Sequence, residues 1–570
     1  NGGGANESKN EVSSADSRMK DVMIYTPFNF KDLSDGYDPE LQLTNPLISV
    51  ADNDRIQKRQ TFNYNGSFTW EIIENLKVKT EFGLDQYYSK DNRFYGVTTY
   101  KSRENGNEQP IVIFTGKDRK SFRNTNTLNY DFKKLLKNDK HHLSALVGQE
   151  LIKVKSNVDT DEVRFYPASF NSHQAFNLSS QGTAFSTDKY TNADDILLSY
   201  FARANYDYEG KYLISATFRA DGSSKFARGN RWGYFPSGSL AWAFARESFI
   251  AENASWLSNG KLRFSYGQTG NNRIGNYDYM AHLITDDDLY KYPWNGQFVP
   301  GYVLSSMQNE KLKWETTEQL DLGLDLGFLD GRINLNMDYY IKTTKDLLLD
   351  ADISASSGFS SATLNVGKLR NSGLEITLET TNIKTKDFSW NSSFNIAFNK
   401  NEIIALNSGQ PYMTSYISWD NKYKTTPAYI SKVGESAGKM YGLIYEGTYK
   451  YEDFNKTIDE NGKEVYTLKE GIPYYVAGTQ PGDPKYRDLT GEGEINDKDK
   501  TTIGNGQPKH IGGFTNNLVW KNFDLNIFFQ WSYGGDVLNA NRIEFEGGDP
   551  NARTSLNMFA SFANRWTPEN

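Results

Sequence analysis

The sequence has no cysteine in 570 residues, which excludes a disulfide framework and thiolate chemistry. No stretch approaches the roughly 18–20 continuous apolar residues of a membrane-crossing helix. There is no long run of lysine or arginine, and the net charge is -8, a balance that argues against nucleic acid as a partner. Histidine is scarce: His141, His142, His173, His282 and His510 are all there are. No zinc-type HExxH spacing and no phosphate-cradling P-loop occurs, and His141 and His142 in one strand would face opposite sides. The opening NGGGANESKNEVSSADS is polar and carries no charged-then-apolar signal peptide. With no initial methionine, and with FANRWTPEN at the other end, the chain reads as a fragment cut at both ends.

What is present is aromatic and alternating. Aromatic residues make up 14% of the chain, although its mean hydropathy is only -0.67. In TEQLDLGLDLGFLDGRINLNMDYY (317–340), Leu320, Leu322, Leu324, Leu326 and Phe328 alternate with Asp, Gly and Gln; the chain then reverses at Asp330-Gly331 and the alternation resumes. TFNYNGSFTW with LKVKTEFGLD, LSYFARANYDY with KYLISATFRAD, LEITLETTNI with FSWNSSFNIAFN, and GGFTNNLVW with FDLNIFFQWS repeat the pattern. TLNYDF/HHLSALVGQE and YFPSGSLAWAF/GKLRFSYGQTG bring the total to about seven hairpins, or roughly fourteen strands of about 9–14 residues.

Connections alternate between short (near 71–75, 133–139, 209–210, 330–331, 384–387 and 521–522) and long (about 90–120, 155–195, 271–315, 346–370 and 401–510). The link 247–259 is intermediate and reads as holding a short helix. Strands of about ten residues, turns at one end and loops at the other describe an all-β fold, a transmembrane antiparallel β-barrel of outer-membrane type, incomplete at both ends. Closure pairs every backbone group, as lipid demands. The Leu/Phe/Tyr/Trp face, Leu324 included, then leans on outer-membrane lipid, and the Asp/Asn/Gln/Gly face, Asp325 included, lines a wet interior. Trp70, Trp390, Trp520 and Trp531 fit interfacial girdles. The division expected is a polar segment and loop over 1–59 and a partial barrel over 60–570, with 401–510 its longest loop. Soluble β domains that bury the same faces against each other are the competing architecture.

FRADGSSKFARGNRWGYFPSGSLAWAFARESF (218–249) carries R-x-D-G-S-S-x-F followed by G-x-F-P-S-x-S-x-x-W. SYGQTGNNRIGNYDY, LKWETTEQLDLGLD, DYYIKTTKDLLL and NVGKLRNSGLEITLE follow in order, then PGDPKYRDLTGEGEINDKDKTTIGNGQPKHIGGFTNNLVWKNFDLNIFFQWSYGGDVLN and NRWTP. Over roughly 200–570 the chain resembles the SusC/RagA family of TonB-linked outer-membrane proteins; residues 1–190 match only in pattern. The resemblance implies a barrel of about 22 strands around an N-terminal plug, in the outer membrane of a Gram-negative bacterium. It also implies import of an oligosaccharide or peptide with energy from TonB, beneath a SusD-like surface lipoprotein acting as a lid. This chain shows no plug, no TonB box and too few strands, so contact with TonB would run through parts outside it.

Candidate sites are few. DLTGEGEINDKD (488–499) resembles a calcium loop: Asp488, Thr490 and Glu492 stand at positions one, three and five, Gly493 at the sharp turn, Glu494 offers its carbonyl, and Asn496 and Asp499 hold nine and twelve. A structural Ca²⁺ is one reading and a metal-free acidic turn the other; no cofactor is required. GESAG (434–438) matches G-x-S-x-G, with Ser436 as nucleophile, but lacks the strand-then-helix setting of a nucleophile elbow. In YKYPWNGQFVPGY, the residues Tyr290, Tyr292, Trp294, Phe298 and Tyr302 could stack on sugar rings, pack within their own loop, or meet a lid protein. YMTSYISWDNKY (412–423) has the same character. Arg203, Arg219, Asp221, Arg263, Asp321 and Asp325 would set the polarity of the interior, most of them as electrostatic ladders between strands.

The function expected is TonB-dependent import of a nutrient, an oligosaccharide rather than a peptide, without enzymatic chemistry. A non-transporting β-rich surface glycan-binding protein is the alternative. A secreted carbohydrate-active enzyme is a third, disfavoured because no carboxylate pair stands out.

Overall fold

The computed structural model describes residues 37–38, 43–136, 138–284, 291–359, 361–407, 410–417, 426–546 and 557–568. Its centre is a meander of fourteen antiparallel strands, each hydrogen-bonded to the next in chain order. The first four are β1 (Asn53–Ile73), β2 (Leu76–Tyr95), β3 (Ile111–Asp131) and β4 (His141–Arg164). Next come β5 (Asp195–Tyr208), β6 (Tyr212–Ser223), β7 (Trp232–Trp242) and β8 (Leu257–Asn271). Then follow β9 (Glu315–Phe328), β10 (Ile333–Lys345), β11 (Lys368–Lys384) and β12 (Phe388–Ala405). The last are β13 (His510–Trp520) and β14 (Phe523–Tyr533). Among the described residues β1 and β14 each have one paired neighbour in this sheet.

All seven expected hairpins form, and their turns show why. Glu209 and Gly210 have φ of 53° and 64°, and Asp330 and Gly331 have 56° and 77°. Positive φ at the reversal suits the twist of a tight hairpin, and glycine adopts it without a Cβ clash. The intermediate link holds the expected short helix, Ser248–Ala251.

The register converts alternation into two faces. One rung runs Leu143, Tyr206, Ile214, Leu240, Phe264, Leu322, Tyr339, Leu374, Phe398 across nine strands from β4 to β12, without a polar residue other than tyrosine. Leu240, Phe264, Leu322, Tyr339 and Phe398 on it are all exposed. This outward face is the lipid face. Along β7, Trp232 and Trp242 stand at its two ends, about ten residues apart. At roughly 3.3 Å per residue and a tilt near 40°, that spacing is about 25 Å, the height of an outer-membrane apolar band.

Three features depart from the sequence reading. First, β5–β14 run 11 to 18 residues, but β1–β4 run 21, 20, 21 and 24. Much of the loops expected at 90–120 and 155–195 is therefore strand, and the boundary expected between 59 and 60 falls inside β1. Beyond the lipid the alternation fades while backbone pairing continues. There the tips hold a small core of Phe94, Val112, Val163, Tyr166 and Ala175 with Phe114, Phe170 and Phe176, and a further strand, Thr183–Thr191, pairs with β4.

Second, the longest connection is folded. Tyr412–Tyr416, Pro427–Lys432, Lys439–Gly442 and Thr501–Gly504 form a four-stranded sheet, and Phe454–Ile458 pairs with Glu464–Leu468. Third, the lipid face carries amides. Asn126 Nδ2 donates to Asn124 Oδ1 at 2.7 Å and Gln149 Oε1 at 3.1 Å, and Asn124 Nδ2 donates to the Glu81 carbonyl at 3.1 Å. By satisfying one another they meet the requirement that hydrocarbon places on polar groups.

Candidate functional site

The inward face is polar by the same register. One rung reads Ser265, Asp321, Tyr340, Gly373, Asn399, and its neighbour reads Arg263, Gly323, Asp338, Glu375, Ala397. Arg263 donates from Nε to Asp325 Oδ2 at 2.9 Å and from Nη2 to Asp325 Oδ1 at 2.8 Å, and Nη2 also stands 2.8 Å from Asp338 Oδ1. The guanidinium lies over Gly323, the residue directly opposite Arg263 in the ladder. Tyr340 donates to Asn399 Oδ1 at 3.0 Å, and Asn399 and Asn401 both donate to Asn371 Oδ1.

A second network sits on the same face in β3–β6. Arg219 Nε donates to both oxygens of Asp221, and its Nη2 donates to Glu150 Oε1 at 3.1 Å and Ser199 Oγ at 2.9 Å. Thr125 holds the other Glu150 oxygen at 3.1 Å. Of the six interior residues named from sequence, Arg219, Asp221, Arg263 and Asp325 thus form cross-strand charge networks, while Arg203 donates to Asn205 instead. Glu150 and Asp338 were missed because each is one polar residue among many in an alternating strand; only the register shows which arginine they meet.

Asp321 and Glu375 form no hydrogen bond or ion pair with any described residue. They line a concave stretch of the inner wall of about 690 Å³ with Arg263, Asp338, Tyr340 and Lys342. Acids outnumber bases along it, so the wall favours neutral or cationic molecules over anions. Carboxylates and amides with free lone pairs can accept from hydroxyl or ammonium groups.

In the connection between β8 and β9, the expected aromatic loop is a β-hairpin. Lys291–Trp294 pairs with Gln297–Pro300, and Asn295 and Gly296 turn it with φ of 49° and 75°. The Asn-Gly pair is the signal that could have revealed it. Trp294, Phe298 and Tyr302 are 68%, 73% and 71% exposed, and Tyr292 is 49% exposed, so none is core. Tyr292 and Trp294 share one face of the hairpin and Phe298 takes the other. Tyr290 lies outside the described residues. Tyr412 and Tyr416 of the second aromatic segment are exposed in their strand, and its residues 418–423 also lie outside the described ones.

In the acidic loop, the carboxylate of Asp499 is fully enclosed. Its Oδ1 accepts from Leu489 N at 2.8 Å, Thr490 N at 3.0 Å and Thr490 Oγ1 at 3.1 Å, and its Oδ2 accepts from Asn496 N at 2.9 Å. The Asn496 amide, followed by those of Thr490 and Leu489, holds this carboxyl down at about 2 against the opposing effect of burial. Asp488 accepts from Gly491 N at 2.6 Å and Gly493 N at 2.8 Å, and Glu492 is engaged by Lys498 and Asn496. Gly493 turns the loop with φ of 82°, and the Glu494 carbonyl accepts from Asn496 Nδ2 at 3.3 Å. In this structure these oxygens meet the loop's own donors and Lys498 stands beside Glu492, the arrangement of a metal-free acidic turn. Among the described residues no group of three or more Asp, Glu or His has metal-binding geometry.

Ser436 of GESAG donates to the Asn401 carbonyl at 3.0 Å, in a turn between two short strands. His510 accepts from Trp531 Nε1. His141 meets the Tyr206 hydroxyl at 2.7 Å. None of these groups forms a nucleophile–base pair.

Residues 9–567 match the family described as TonB dependent receptor-like, beta-barrel. TonB-dependent receptor P3 of Formosa agariphila is 32% identical over 564 residues, covering 98% of this chain and 52% of that protein. TonB-dependent receptor SusC of Bacteroides thetaiotaomicron is 33% identical over 366 residues, covering 63% of this chain and 33% of that one. The structure of the RagAB peptide transporter superposes with a TM-score of 0.72 at 24% identity, over 93% of this chain and 53% of that one, a likeness of fold. The chain spans about half the length of TonB-dependent receptor P3 and of the RagAB chain.

Proposed function

The chain belongs to the TonB dependent receptor-like β-barrel family, outer-membrane transporters of Gram-negative bacteria rather than enzymes, and from that premise we propose that the protein containing it imports a neutral oligosaccharide. Energy would come from TonB through parts of the protein outside this chain, and a SusD-like surface lipoprotein would cover the barrel mouth. The observation that carries the glycan reading is the pairing of an exposed aromatic hairpin in the connection between β8 and β9 with an interior wall of carboxylates and amides that includes those same strands. Aromatic faces suit the C–H faces of sugar rings, and the free acceptors of Asp321 and Glu375 suit hydroxyl groups.

RagAB, whose fold this chain shares, is a peptide transporter, so a peptide is the competing cargo. Uptake of labelled oligosaccharides and oligopeptides by cells relying on the full-length protein separates the two. Trp294→Ala should lower glycan uptake several-fold at unchanged amounts of protein in the membrane. Peptide uptake without glycan uptake would sink the cargo assignment. Glycan binding with no TonB-dependent uptake would favour the non-transporting alternative.

A further inference from the structure

The outward face carries a second feature, at the upper border of the lipid band in β1–β4. From Tyr130 to Lys120 along β3, and from Ala145 to Lys155 along β4, the outward positions span about ten residues, the same height of roughly 25 Å that separates Trp232 from Trp242. Lys120 and Lys155 stand directly opposite each other in the ladder, and Lys153 is the outward neighbour of Lys155 next to Phe122. Two outward positions further along, Lys58 and Lys90 form a second directly opposed pair, on the rung that continues through Gly116 to Asp159. Phe122, Leu84, Leu151 and Leu198 lie immediately below, on the same face.

Like charges directly opposed across strands destabilise a sheet, so something must offset them. The protein supplies only part of it. Asp194 lies 2.7 Å from Lys153 Nζ and 3.6 Å from Lys155 Nζ, and Asp118 lies 3.5 Å from Lys120. Neither Lys58 nor Lys90 makes an ion pair with a described residue; the Lys90 ammonium lies 6.0 Å from the Tyr88 ring. On that same outer rung Asp159 faces Lys189. Lys120, Lys153 and Lys155 therefore share two carboxylates, Asp118 and Asp194, at the level where acyl chains give way to headgroups. Long lysine side chains reach readily from a strand into such a headgroup layer.

We propose that this face binds the phosphate of a phosphorylated lipid of the outer leaflet, with Lys120, Lys153 and Lys155 around the headgroup and Phe122, Leu84 and Leu151 against its acyl chains. The lysines complement the phosphate charge, and the apolar residues below them fix the source as a lipid rather than a soluble anion. The assignment depends on the barrel's place in the membrane and not on what it transports.

The test uses the full-length protein in a neutral detergent, with native mass spectrometry of retained lipid. The probes are a phosphorylated disaccharide lipid, the same lipid after phosphatase treatment, and inorganic phosphate alone. Each lysine beside an anionic headgroup strengthens attraction by about fivefold, and two carboxylates already offset part of the patch. The triple variant Lys120→Gln/Lys153→Gln/Lys155→Gln should therefore retain roughly tenfold less phosphorylated lipid, whereas Lys456→Gln in the long loop should retain as much as wild type. If the triple variant fails the heat-modifiability assay for a folded barrel, the double variant Lys120→Gln/Lys155→Gln replaces it, with the same expected direction. Equal retention by wild type and variant overturns the proposal, as does equal retention of the dephosphorylated lipid. Displacement of the lipid by millimolar inorganic phosphate would make this a soluble-anion site and overturn the lipid assignment.

Discussion

Arg263 and Asp325 are joined by two hydrogen bonds, of 2.9 and 2.8 Å, across the gap that Gly323 leaves in the inner wall. A Cβ on Gly323 would stand 2.5 Å from Arg263 Cζ and equally close to Asp338 Oδ1. The glycine that breaks the row of side chains is what lets one guanidinium serve carboxylates on β9 and β10.

Gly323→Ala should therefore displace Arg263 and destabilise the barrel by about 1–3 kcal/mol, the usual cost of overpacking. Thermal unfolding of the full-length protein in detergent reads this directly. A melting temperature equal to wild type would show that Arg263 has another resting place.

Leu324 and Asp325 are neighbours with opposite environments. Leu324 lies on an outward rung with Leu262, Met337, Ile376 and Ile396. Leu324→Arg should cost roughly 2–4 kcal/mol and reduce the amount of assembled barrel. Asp325→Asn weakens a partly buried ion pair but leaves Arg263 with Asp338, and should assemble nearly normally. Equal assembly defects, compared by heat-modifiable gel mobility, would refute the two-face assignment.

The acidic loop should respond to pH in one direction. The Asp499 carboxyl titrates at about 2 in the folded chain, below its ordinary 3.8. Its contribution is then fully present above the ordinary value and lost as pH falls through the folded one. Hydrogen exchange at Leu489, Thr490 and Asn496, corrected for the intrinsic pH dependence, should show constant protection above pH 4 and loss of protection toward pH 2. Asp499→Asn should expose the same amides at neutral pH. Millimolar calcium should leave the pattern unchanged; added protection with calcium would show that the oxygens regroup around a cation.

Trp566 anchors the long connection between β12 and β13. Its ring lies 5.9 Å from that of Tyr451, and a Cβ on Gly482 would meet it at 2.4 Å, at a residue whose φ is 96°. Trp566→Ala should make residues 445–486 several-fold more sensitive to limited proteolysis while the barrel remains intact. Gly482→Ala should do the same through steric clash and backbone strain. Unchanged cleavage in both would mean the segment is held by its own hairpins.

The sequence by itself determined the number of strands, their pairing partners and which face of each meets lipid. Side chains alternate with period two, so Leu320 to Phe328 against Asp321 and Asp325 leaves one face for hydrocarbon and one for water. Turn chemistry at Glu209-Gly210 and Asp330-Gly331 then fixes which strands are neighbours. Position within a face was not legible, because it depends on register between segments far apart in the chain. Only the tertiary structure places Arg263 between Asp325 and Asp338, or joins Arg219 to Glu150. It also decided where the alternation stops being informative: β1–β4 continue past the lipid on backbone pairing and a small core around Tyr166, and the oxygens of Asp488 and Asp499 turn toward the amides of their own loop. Period two records the boundary between oil and water, and these choices are made where that boundary has ended.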